Sequence, residues 1–457
     1  MILPFKPESA RRMLTTFQEF FATESAGGIV LLVCTVLALI WANSPWAASY
    51  FALWQSEFTI GAPRLGLTMD LHHWINDGLM VLFFFVVGME IKREILVGEL
   101  SQFKQAMLPV FGALGGMLAP ALIYIAINLH RGALHGWGVP VATDIAFAIA
   151  ILALLGSRVP TGLKVFLVAL AIVDDLGAVL VIALFYAEQL HFGALLLAAA
   201  GLLLALLLNW RGVIRPLPYA LIGIVVWLAI LLSGIHATIA GVLLALCIPA
   251  RSRINLDAFY QDCRLVLDRL MMTASSRPPE HAAAERRLSG EQHDMVGDIE
   301  QICEQVQPPL DRLERNLHPW ITYLVMPLFA LSNAGVVLPA NLASTFENPV
   351  SLGVIFGLVL GKQAGVTAFV WLSTKCKLAI LPEGVNWMQL YAASLICGVG
   401  FTMSLFIANL AFKADPAYLD SAKLGILLAS AVAGGVGFLV LRHATRSAAP
   451  TTEQVEP

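Results

Sequence analysis

The stretch VFLVALAIVDDLGAVLVIALFY, residues 165–186, is apolar throughout except for two adjacent aspartates near its centre. About 20 apolar residues form a helix that is long enough to cross the hydrocarbon core of a bilayer, so the stretch predicts a transmembrane helix. A carboxylate at the centre of a bilayer costs about 2.5 to 3.5 kcal/mol. The cost of burying Asp174 and Asp175 therefore favours a functional role for them over a packing role.

The composition of the whole chain indicates a polytopic membrane protein. Of its 457 residues, 58% are hydrophobic and 13% are charged, whereas soluble domains carry about 25% charged residues. The formal net charge is -3, with no basic or acidic block. This balance excludes nucleic acid and polyanions as expected partners.

Neither the N-terminus nor the cysteines indicate processing or covalent cross-links. The first residues lack a short apolar core followed by a small-residue cleavage site, so we expect no removable signal peptide. The six cysteines are scattered without a CxxC pair. They suggest neither disulfides nor a metal site.

Hydropathy predicts twelve transmembrane segments. They begin near residues 27, 71, 105, 138, 161, 193, 215, 233, 319, 350, 387 and 421. With a cytoplasmic N-terminus, the inner loops and tails hold 23 of the 28 Lys and Arg residues, and the outer loops hold four. Without the long loop over 251–317 the ratio is still 14 to 4. The positive-inside rule therefore places both termini in the cytoplasm.

Two triplets of segments have opposite orientations in this topology. Segments 3 to 5 start from the inside and segments 10 to 12 from the outside. The middle members, GWGVPVATDIAFAIAILALLG (136–156) and LICGVGFTMSLFIANLAF (395–412), are both interrupted by helix-weakening residues. The glycines of the second could also serve close helix packing. Paired interrupted helices in inverted halves are nevertheless typical of a transporter with an ion site at the midplane.

The buried charges lie at similar depths. Asp174 follows Lys164 by ten residues, a rise of roughly 15 Å, which is half of a core about 30 Å thick. Lys362 precedes Lys375 by thirteen residues, roughly 20 Å, which is too far for its stem to reach inner water. Adjacent helical side chains point about 100° apart, so Asp174 and Asp175 cannot share one partner in one geometry. One of them can pair with Lys362 while the other faces a water-filled route.

Such a cluster suits sodium/proton exchange. Na⁺ and Li⁺ are hard cations that favour oxygen ligands, which carboxylates, hydroxyls and carbonyls supply. A carboxylate can hold a proton or a cation but not both, and desolvation raises its proton affinity. Competition for one site that opens alternately to each side of the membrane is antiport.

The chain resembles the NhaA-type sodium/proton antiporters of bacterial inner membranes. The resemblance runs along nearly the whole chain, and its Thr-Asp and Asp-Asp motifs are highly specific. The matching stretches are FFATESAGGIVLL, WINDGLMVLFFFVVGMEIKREILVGEL, GWGVPVATDIAFAIAILALLG, VFLVALAIVDDLGAVLVIALFY, SGIHATIAGV, HPWITYLVMPLFALSNAGV and GVGFTMSLFIANLAF.

The resemblance implies an ion site and its chemistry. Asp175 and Asp174 would carry the cation and the protons, with Asp175 the direct Na⁺ or Li⁺ ligand and Asp174 the partner of Lys362. More than one proton would exchange for each sodium ion exported, so transport would be electrogenic. Na⁺, Li⁺ and H⁺ would be transported ions, and the protein would be neither an enzyme nor dependent on a cofactor.

The resemblance also implies how the site is supported. The fold would be all-α, with twelve transmembrane helices, inverted-topology repeats and two broken helices that cross at the midplane. Thr143 and Asp144 would lie at the crossing, where Asp144 and Lys362 offset the opposed half-helix dipoles. Gly398 and Gly400 would support the site from the second break.

Five further residues are candidates for pH sensing. Glu90, Arg93 and Glu94 share one helix face at spacings of three and four residues, which suits a charge network. The resemblance places Glu90 in an inner funnel, although a charged helix end can also be an ordinary interfacial anchor. Asp77, near the outer end of segment 2, can be structural. His236 is a pH modulator by resemblance or a hydrogen-bonded packing residue.

The 251–317 segment departs from compact members of the family, which have a much shorter connection. It holds nine Arg, no Lys and twelve Asp or Glu. Seven apolar residues recur at steps of three and four and predict an amphipathic helix that is kinked near Pro308 and Pro309. These residues are Met295, Ile299, Ile302, Val306, Leu310, Leu313 and Leu317. The segment can regulate transport, or it can be a peripheral addition that has no role in transport.

The chain therefore divides into five predicted parts. Residues 57–70 have Gly and Pro between two strand-like runs, and they resemble an external hairpin that joins two protomers, so we expect a homodimer. The parts are a cytoplasmic N-terminal amphipathic segment (1–26), helices 1 to 8 (27–250), the cytoplasmic insertion (251–317), helices 9 to 12 (318–443) and a cytoplasmic tail (444–457).

Three other functions compete with this interpretation. An intramembrane aspartyl protease needs two Asp on facing helices, and the chain has no GxGD sequence. A cation channel also uses acidic residues, but paired helix breaks favour alternating access. A sodium-coupled solute symporter would need a pocket for an organic substrate, which the sequence neither indicates nor excludes.

Overall fold

Helices dominate the part of the chain that the computed structural model describes. That part comprises residues 26–61, 66–187, 190–250, 256–275, 294–299, 302–303, 307–339 and 345–446. Hydrocarbon offers no partner to a free backbone N–H or C=O group, so apolar stretches adopt helices, which satisfy these groups internally.

The first half of the chain contains nine labelled helices and one pair of strands. They are α1 (Ala26–Ala42), α2 (Ala47–Trp54), β1 (Glu57–Ile60), β2 (Leu67–Asp70), α3 (Met80–Leu96), α4 (Phe103–Asn128), α5 (Ile145–Leu155), α6 (Thr161–Phe185), α7 (Phe192–Trp210), α8 (Pro216–Leu231) and α9 (Ile239–Cys247). A helical turn over Leu71–His73 and a π-helical turn over Trp74–Leu79 lead into α3, and a 3-10 helix over Leu134–Val141 precedes α5.

The second half adds eight labelled helices. They are α10 (Leu256–Ser275), α11 (Pro309–Trp320), α12 (Met326–Asn333), α13 (Pro349–Phe356), α14 (Lys362–Lys375), α15 (Trp387–Ile396), α16 (Phe401–Ala411) and α17 (Pro416–Arg446). π-helical turns over Ile321–Val325 and Gly357–Gly361 join α11 to α12 and α13 to α14, so each pair runs as one interrupted helix.

Within the described residues, six helices are long and apolar enough to cross a membrane, or eight if each of two bent pairs counts as one span. The other predicted segments form shorter or interrupted helices, such as the 16-residue α8 and the nine-residue α9. The structure therefore has a polytopic helical architecture, and the number twelve stays a prediction.

The strands β1 and β2 pair antiparallel, with Glu57 opposite Asp70 and Ile60 opposite Leu67. They lie within the predicted hairpin over 57–70, between α2 and the helical turns that lead into α3.

The prediction of one kinked helix towards the end of the 251–317 segment is wrong. Residues 294–299 and 302–303 are helical, and Val306 lies outside the described residues. The α11 helix begins separately at Pro309, because Pro308 is extended, with φ -56° and ψ 134°. A residue that precedes proline is driven out of the helical region, and proline itself suits the first position of a helix. The apolar pattern of the segment did not predict α10, a helix of 20 residues.

Close packing of α4 against α14 positions the lysine of the site. A Cβ added to Gly115 would lie 2.1 Å from the carbonyl oxygen of Gly365, and one added to Gly365 would lie 2.0 Å from that of Gly115. The two backbones therefore touch directly, which only glycine permits. Lys362 lies one turn before Gly365 and is fully buried.

Candidate functional site

Two interrupted helices meet at the site. The first leaves its 3-10 turn at Val141, passes through an extended Ala142 (φ -80°, ψ 150°) and begins α5 after an extended Asp144 (φ -90°, ψ 105°). The second breaks between α15 and α16, which are bent by 44° relative to each other. At each interruption, backbone N–H and C=O groups lose their partners within the helix and need other hydrogen-bond partners.

Hydrogen bonds join the two breaks. The backbone N–H of Asp144 donates to the carbonyl of Val399 at 2.7 Å. The Asp144 carboxylate accepts from the N–H of Phe147 at 3.1 Å and from the N–H of Thr402 at 3.0 Å, and it also accepts from the Thr402 hydroxyl. One carboxylate thus caps the N-termini of both α5 and α16, where the helix dipoles favour negative charge.

A buried ion pair lies beside this junction. Lys362 Nζ contacts Asp174 Oδ2 and also donates to the carbonyl of Val141, at the end of the 3-10 helix. The Thr143 hydroxyl lies 2.6 Å from Asp174 Oδ2 and 2.9 Å from the carbonyl of Cys397. Its single proton can serve only one of them at a time. The lysine therefore neutralises both a carboxylate and a half-helix C-terminus.

The neighbouring carboxylate faces a cavity instead. Asp175 is 1% exposed, and its Oδ1 has no hydrogen-bond partner among the described protein atoms. It lines a cavity of about 670 Å³ together with Asp144 and Thr402. Neither Asp174 nor Lys362 lines that cavity. The 100° between neighbouring side chains on α6 separates the two carboxylates in this way.

Charged side chains surround the partly exposed mouth of this cavity. Glu90, Arg93 and Glu94 on α3 line it, as do Asp311 and His318 on α11. A further acid, Glu314 on α11, forms an ion pair with Arg93 through the Arg93 Nη1 and Glu314 Oε1 atoms.

Comparison with known proteins shows the family of this chain. A family model described as Na⁺/H⁺ antiporter 1 matches residues 18–441. The chain belongs to this family. A protein of Oleidesulfovibrio alaskensis named Na⁺/H⁺ antiporter NhaA is 50% identical over 444 residues, which cover 97% of each chain.

Two further relatives have the same name. The protein of Koribacter versatilis is 48% identical over 441 residues, which cover 96% of this chain and 94% of the relative. The protein of Acidithiobacillus ferrooxidans is 48% identical over 434 residues, which cover 95% of this chain and 98% of the relative. Matches of this extent leave only a few per cent of each chain unmatched, so these relatives have chains of similar length to this one.

In this Na⁺/H⁺ antiporter family member, two of the candidate pH sensors lie together and outside the cavity. His236 Nε2 lies 3.1 Å from Asp77 Oδ1, and His236 Nδ1 lies 2.8 Å from the Thr238 hydroxyl. Trp227 Nε1 donates to the carbonyl of Asp77 at 2.7 Å. The structure thus brings Asp77 and His236 to each other, whereas Glu90, Arg93 and Glu94 line the cavity mouth.

The glycines of the second break permit close approach. A Cβ on Gly398 would lie 2.6 Å from the carbonyl oxygen of Leu358, in the π-helical turn that precedes Lys362. A Cβ on Gly400 would lie 2.1 Å from the Ser404 hydroxyl. Gly398 therefore fixes the distance between the second break and the helix that carries Lys362.

Glu314, which is 6% exposed, was not predicted from the sequence as a residue of the site. Burial raises the pKa of Glu314 to about 6, although the Arg93 guanidinium lowers it. A signal was present, because Glu314 lies on the same helical face as Leu310 and Leu317. An acid on an apolar face indicates a buried partner.

Proposed function

We propose that the protein exchanges Na⁺ or Li⁺ for H⁺ across the bacterial inner membrane, and that Asp175 binds the ion. The position of this carboxylate supports the proposal. Asp175 is buried and lines the charged cavity, and one of its oxygens has no hydrogen-bond partner among the described protein atoms. Asp174 Oδ1 also lacks a partner among the described protein atoms, but Asp174 does not line the cavity, so Asp175 is the acid whose unpartnered oxygen a new ligand can reach from the cavity.

The neighbouring acids, Asp144 and Asp174, have structural roles. Both oxygens of Asp144 accept hydrogen bonds from helix N-termini, so this residue holds the two breaks together. Asp174 is occupied by Lys362 and Thr143. Removal of either contact would leave a buried polar group without its partner, which makes these residues supports of the site.

Competition at Asp175 couples the two ions. When the side chain binds a proton, it is neutral, and the free-energy cost of its burial is small. With Na⁺, the carboxylate and the ion neutralise each other, and carboxylate and hydroxyl oxygens replace water as ligands. An ionised carboxylate with neither partner is costly in this surrounding, so one ion enters as the other leaves.

The Asp174–Lys362 pair supports electrogenic exchange. When Asp174 takes up a proton, Lys362 loses its counter-ion, so the protonation of Asp174 depends on the movement of Lys362. Exchange of more than one proton for each sodium ion exported then moves net charge across the membrane.

Alternating access requires the site to open to the other side as well. We propose twelve spans with both termini in the cytoplasm, in which 27–250 and 318–443 form the transport unit and the inverted triplets cross at Thr143 and Asp144. The hydrogen bonds between the two breaks support this arrangement, because a change at one break is transmitted directly to the other. The cavity would then be the inward-facing entrance.

The mouth of the cavity is the proposed site of pH regulation. Ion pairing between Arg93 and Glu314 joins α3 to α11, and the pKa of Glu314, raised by burial to about 6, lies near cellular pH. Protonation of Glu314 would release Arg93 to its other neighbours. We also propose a homodimer in the lipid bilayer, joined through the hairpin over 57–70.

Everted membrane vesicles provide the test. Respiration acidifies the vesicle interior, which quenches a permeant amine dye, and added Na⁺ or Li⁺ should reverse the quenching. Asp175→Asn should give no response, because an amide keeps the size of the side chain but carries no proton and attracts a cation weakly. Wild-type protein that fails to respond to either ion, or a variant that responds like wild type, would contradict the proposal.

A further inference from the structure

A second group of potential metal ligands lies where β2 meets the turns that lead into α3. Asp70, His72 and His73 each offer one ligand atom, and these atoms all lie within 4.8 Å of one another. Asp70 Oδ1 and His73 Nδ1 are 2.7 Å apart. Neither the ion site at Asp175 nor the cavity mouth uses these three residues.

The donor set suits Zn²⁺. Imidazole nitrogen and carboxylate oxygen bind Zn²⁺ at about 2.0 to 2.2 Å, which separates the ligand atoms of a tetrahedral site by about 3.4 Å. Small side-chain rotations would therefore bring the three atoms around one ion. His73 is 48% exposed and Asp70 is 28% exposed, so an ion can enter from water.

The second observation is the arrangement of the strands. Glu57 on β1 lies directly opposite Asp70 on β2. Side chains that are opposite each other in an antiparallel pair share one face of the sheet, and like charges in such positions are destabilising. A cation between the two carboxylates would relieve this repulsion, and Glu57 would supply the fourth ligand.

The third observation is the orientation of His72. His72 Nε2 lies 3.0 Å from Asn333 Oδ1, which can only accept, so Nε2 carries the proton. The other nitrogen, Nδ1, then holds the lone pair, which accepts a hydrogen bond from Asn76 Nδ2 at 3.1 Å, so a metal bound at Nδ1 would replace this hydrogen bond. A metal-bound histidine typically donates its second N–H to an oxygen in this way, which fixes the ring and its tautomer.

We propose that Asp70, His72 and His73, with Glu57, form a binding site for a divalent transition metal of the Zn²⁺ class. The bound ion would connect the β1–β2 hairpin to the helical turn over Leu71–His73 that leads into α3. Through His72 it would also connect the hairpin to Asn333 on α12. The site is separate from the sodium site and stands whether or not the protein exchanges Na⁺ for H⁺.

The test is calorimetric titration of tag-free, full-length protein with ZnCl₂. We expect one site per protomer, with binding weakened at least about tenfold in Asp70→Asn and in His73→Ala, and less in Glu57→Gln. Asp70→Asn keeps an acceptor for the helix-capping bond to the His73 N–H, so it should fold. The matched control is His130→Ala, which removes an exposed histidine elsewhere. MgCl₂ should not bind, because Mg²⁺ prefers oxygen ligands in octahedral geometry.

A second measurement keeps the proposal testable if a variant expresses poorly. Zn²⁺ that binds the native state raises Tm, so it should raise the Tm of wild type and of His130→Ala but not of His73→Ala. All variants should retain Na⁺-dependent dequenching in metal-free buffer. Equal Zn²⁺ binding by wild type and His73→Ala would mean adventitious binding to surface histidines only and would overturn the proposal, as would no binding at all.

Discussion

The two neighbouring carboxylates on α6 have opposite surroundings. Asp174 Oδ2 contacts Lys362 and Thr143, and Asp174 does not line the cavity, whereas Asp175 does. The Oδ1 atom of each residue lacks a hydrogen-bond partner among the described protein atoms. Helical geometry predicted that the two cannot share a partner, and the family resemblance assigned Lys362 to Asp174. The carbonyl of Val141, the other partner of Lys362, could not be predicted, because no sequence pattern marks which backbone oxygen lies near a distant side chain.

The Lys362 pair predicts a large effect on stability. Removing one partner of a buried ion pair costs about 3 to 5 kcal/mol, because the other charge remains uncompensated. Lys362→Ala should therefore lower the Tm in detergent, followed by tryptophan fluorescence. Lys104→Ala, at the exposed start of α4, is the control and should unfold like wild type. A Lys362→Ala profile equal to that of the control would count against the pairing.

Glu314 predicts a pH dependence of stability. Burial raises its pKa from 4.5 to about 6 in the folded protein, a difference on the order of 2 kcal/mol. The folded state binds the proton more tightly, so this stabilisation is fully present below about pH 4.5 and is lost as pH rises through about 6. Glu314→Gln stays neutral and lacks this change.

The measurement is the Tm difference between wild type and Glu314→Gln at several pH values. Wild type should lose stability relative to the variant as pH rises across that window. Asp268→Asn, on the exposed side of α10, is the control and should leave the wild-type profile unchanged. A difference that is independent of pH would mean that Glu314 does not titrate there.

At the scale of elements, the two broken helices depend on close approach. The interruptions were visible in sequence as Gly and Pro ahead of polar residues. That one carboxylate, Asp144, caps both α5 and α16 was not visible, because the second helix lies more than 250 residues later in the chain. The ends of short helices such as α9 could not be predicted from hydropathy alone, because an apolar segment that is buried in the protein need not be long enough to span the bilayer.

Gly398 predicts that the second break tolerates no side chain. A Cβ there would lie 2.6 Å from the carbonyl oxygen of Leu358, and backbone cannot move aside as a side-chain tip can. Overpacking of this kind costs about 1 to 3 kcal/mol. Gly398→Ala should lower the Tm and slow exchange, because it moves the break away from Lys362.

The matched control for Gly398→Ala is a glycine in open space. Nothing lies within 4 Å of a Cβ added to Gly435 on α17. Gly435→Ala should therefore keep both the Tm and the dequenching rate of wild type. Equal behaviour of the two alanine variants would refute the close-approach argument.

At the scale of the whole molecule, the 251–317 segment is the part that the sequence predicted least well. Its apolar periodicity was interpreted as one kinked helix, whereas Pro308 is extended and separates the helices. The start of α11 lies next to the residue that precedes the segment by two positions, since the N–H of Leu310 donates to the carbonyl of Pro249 at 3.2 Å.

This contact predicts that the segment can be shortened. Loop-closure entropy changes only with the logarithm of length, so a Gly/Ser linker in place of residues 256 to 306 should preserve membrane insertion and Na⁺/H⁺ exchange. Glu314 and α11 remain in that variant. A longer replacement, from 256 to 316, also removes the Arg93 partner and should alter the pH profile. A well-folded short-linker variant without exchange at any pH would show that the segment is part of the mechanism.

In the proposed exchange, the buried carboxylate of Asp175 holds either a proton or a sodium ion. The most direct test of this exchange is proton release: Na⁺ or Li⁺ is added to weakly buffered, purified protein, and a pH indicator reports the protons displaced. Wild type should release protons in a saturable manner, and choline chloride should release none. Asp175→Asn should release fewer protons and bind Na⁺ at least about tenfold more weakly, since a contact to a charged group is worth about 1.5 to 3 kcal/mol. Saturable Na⁺ binding by wild type without proton release would contradict competition at Asp175.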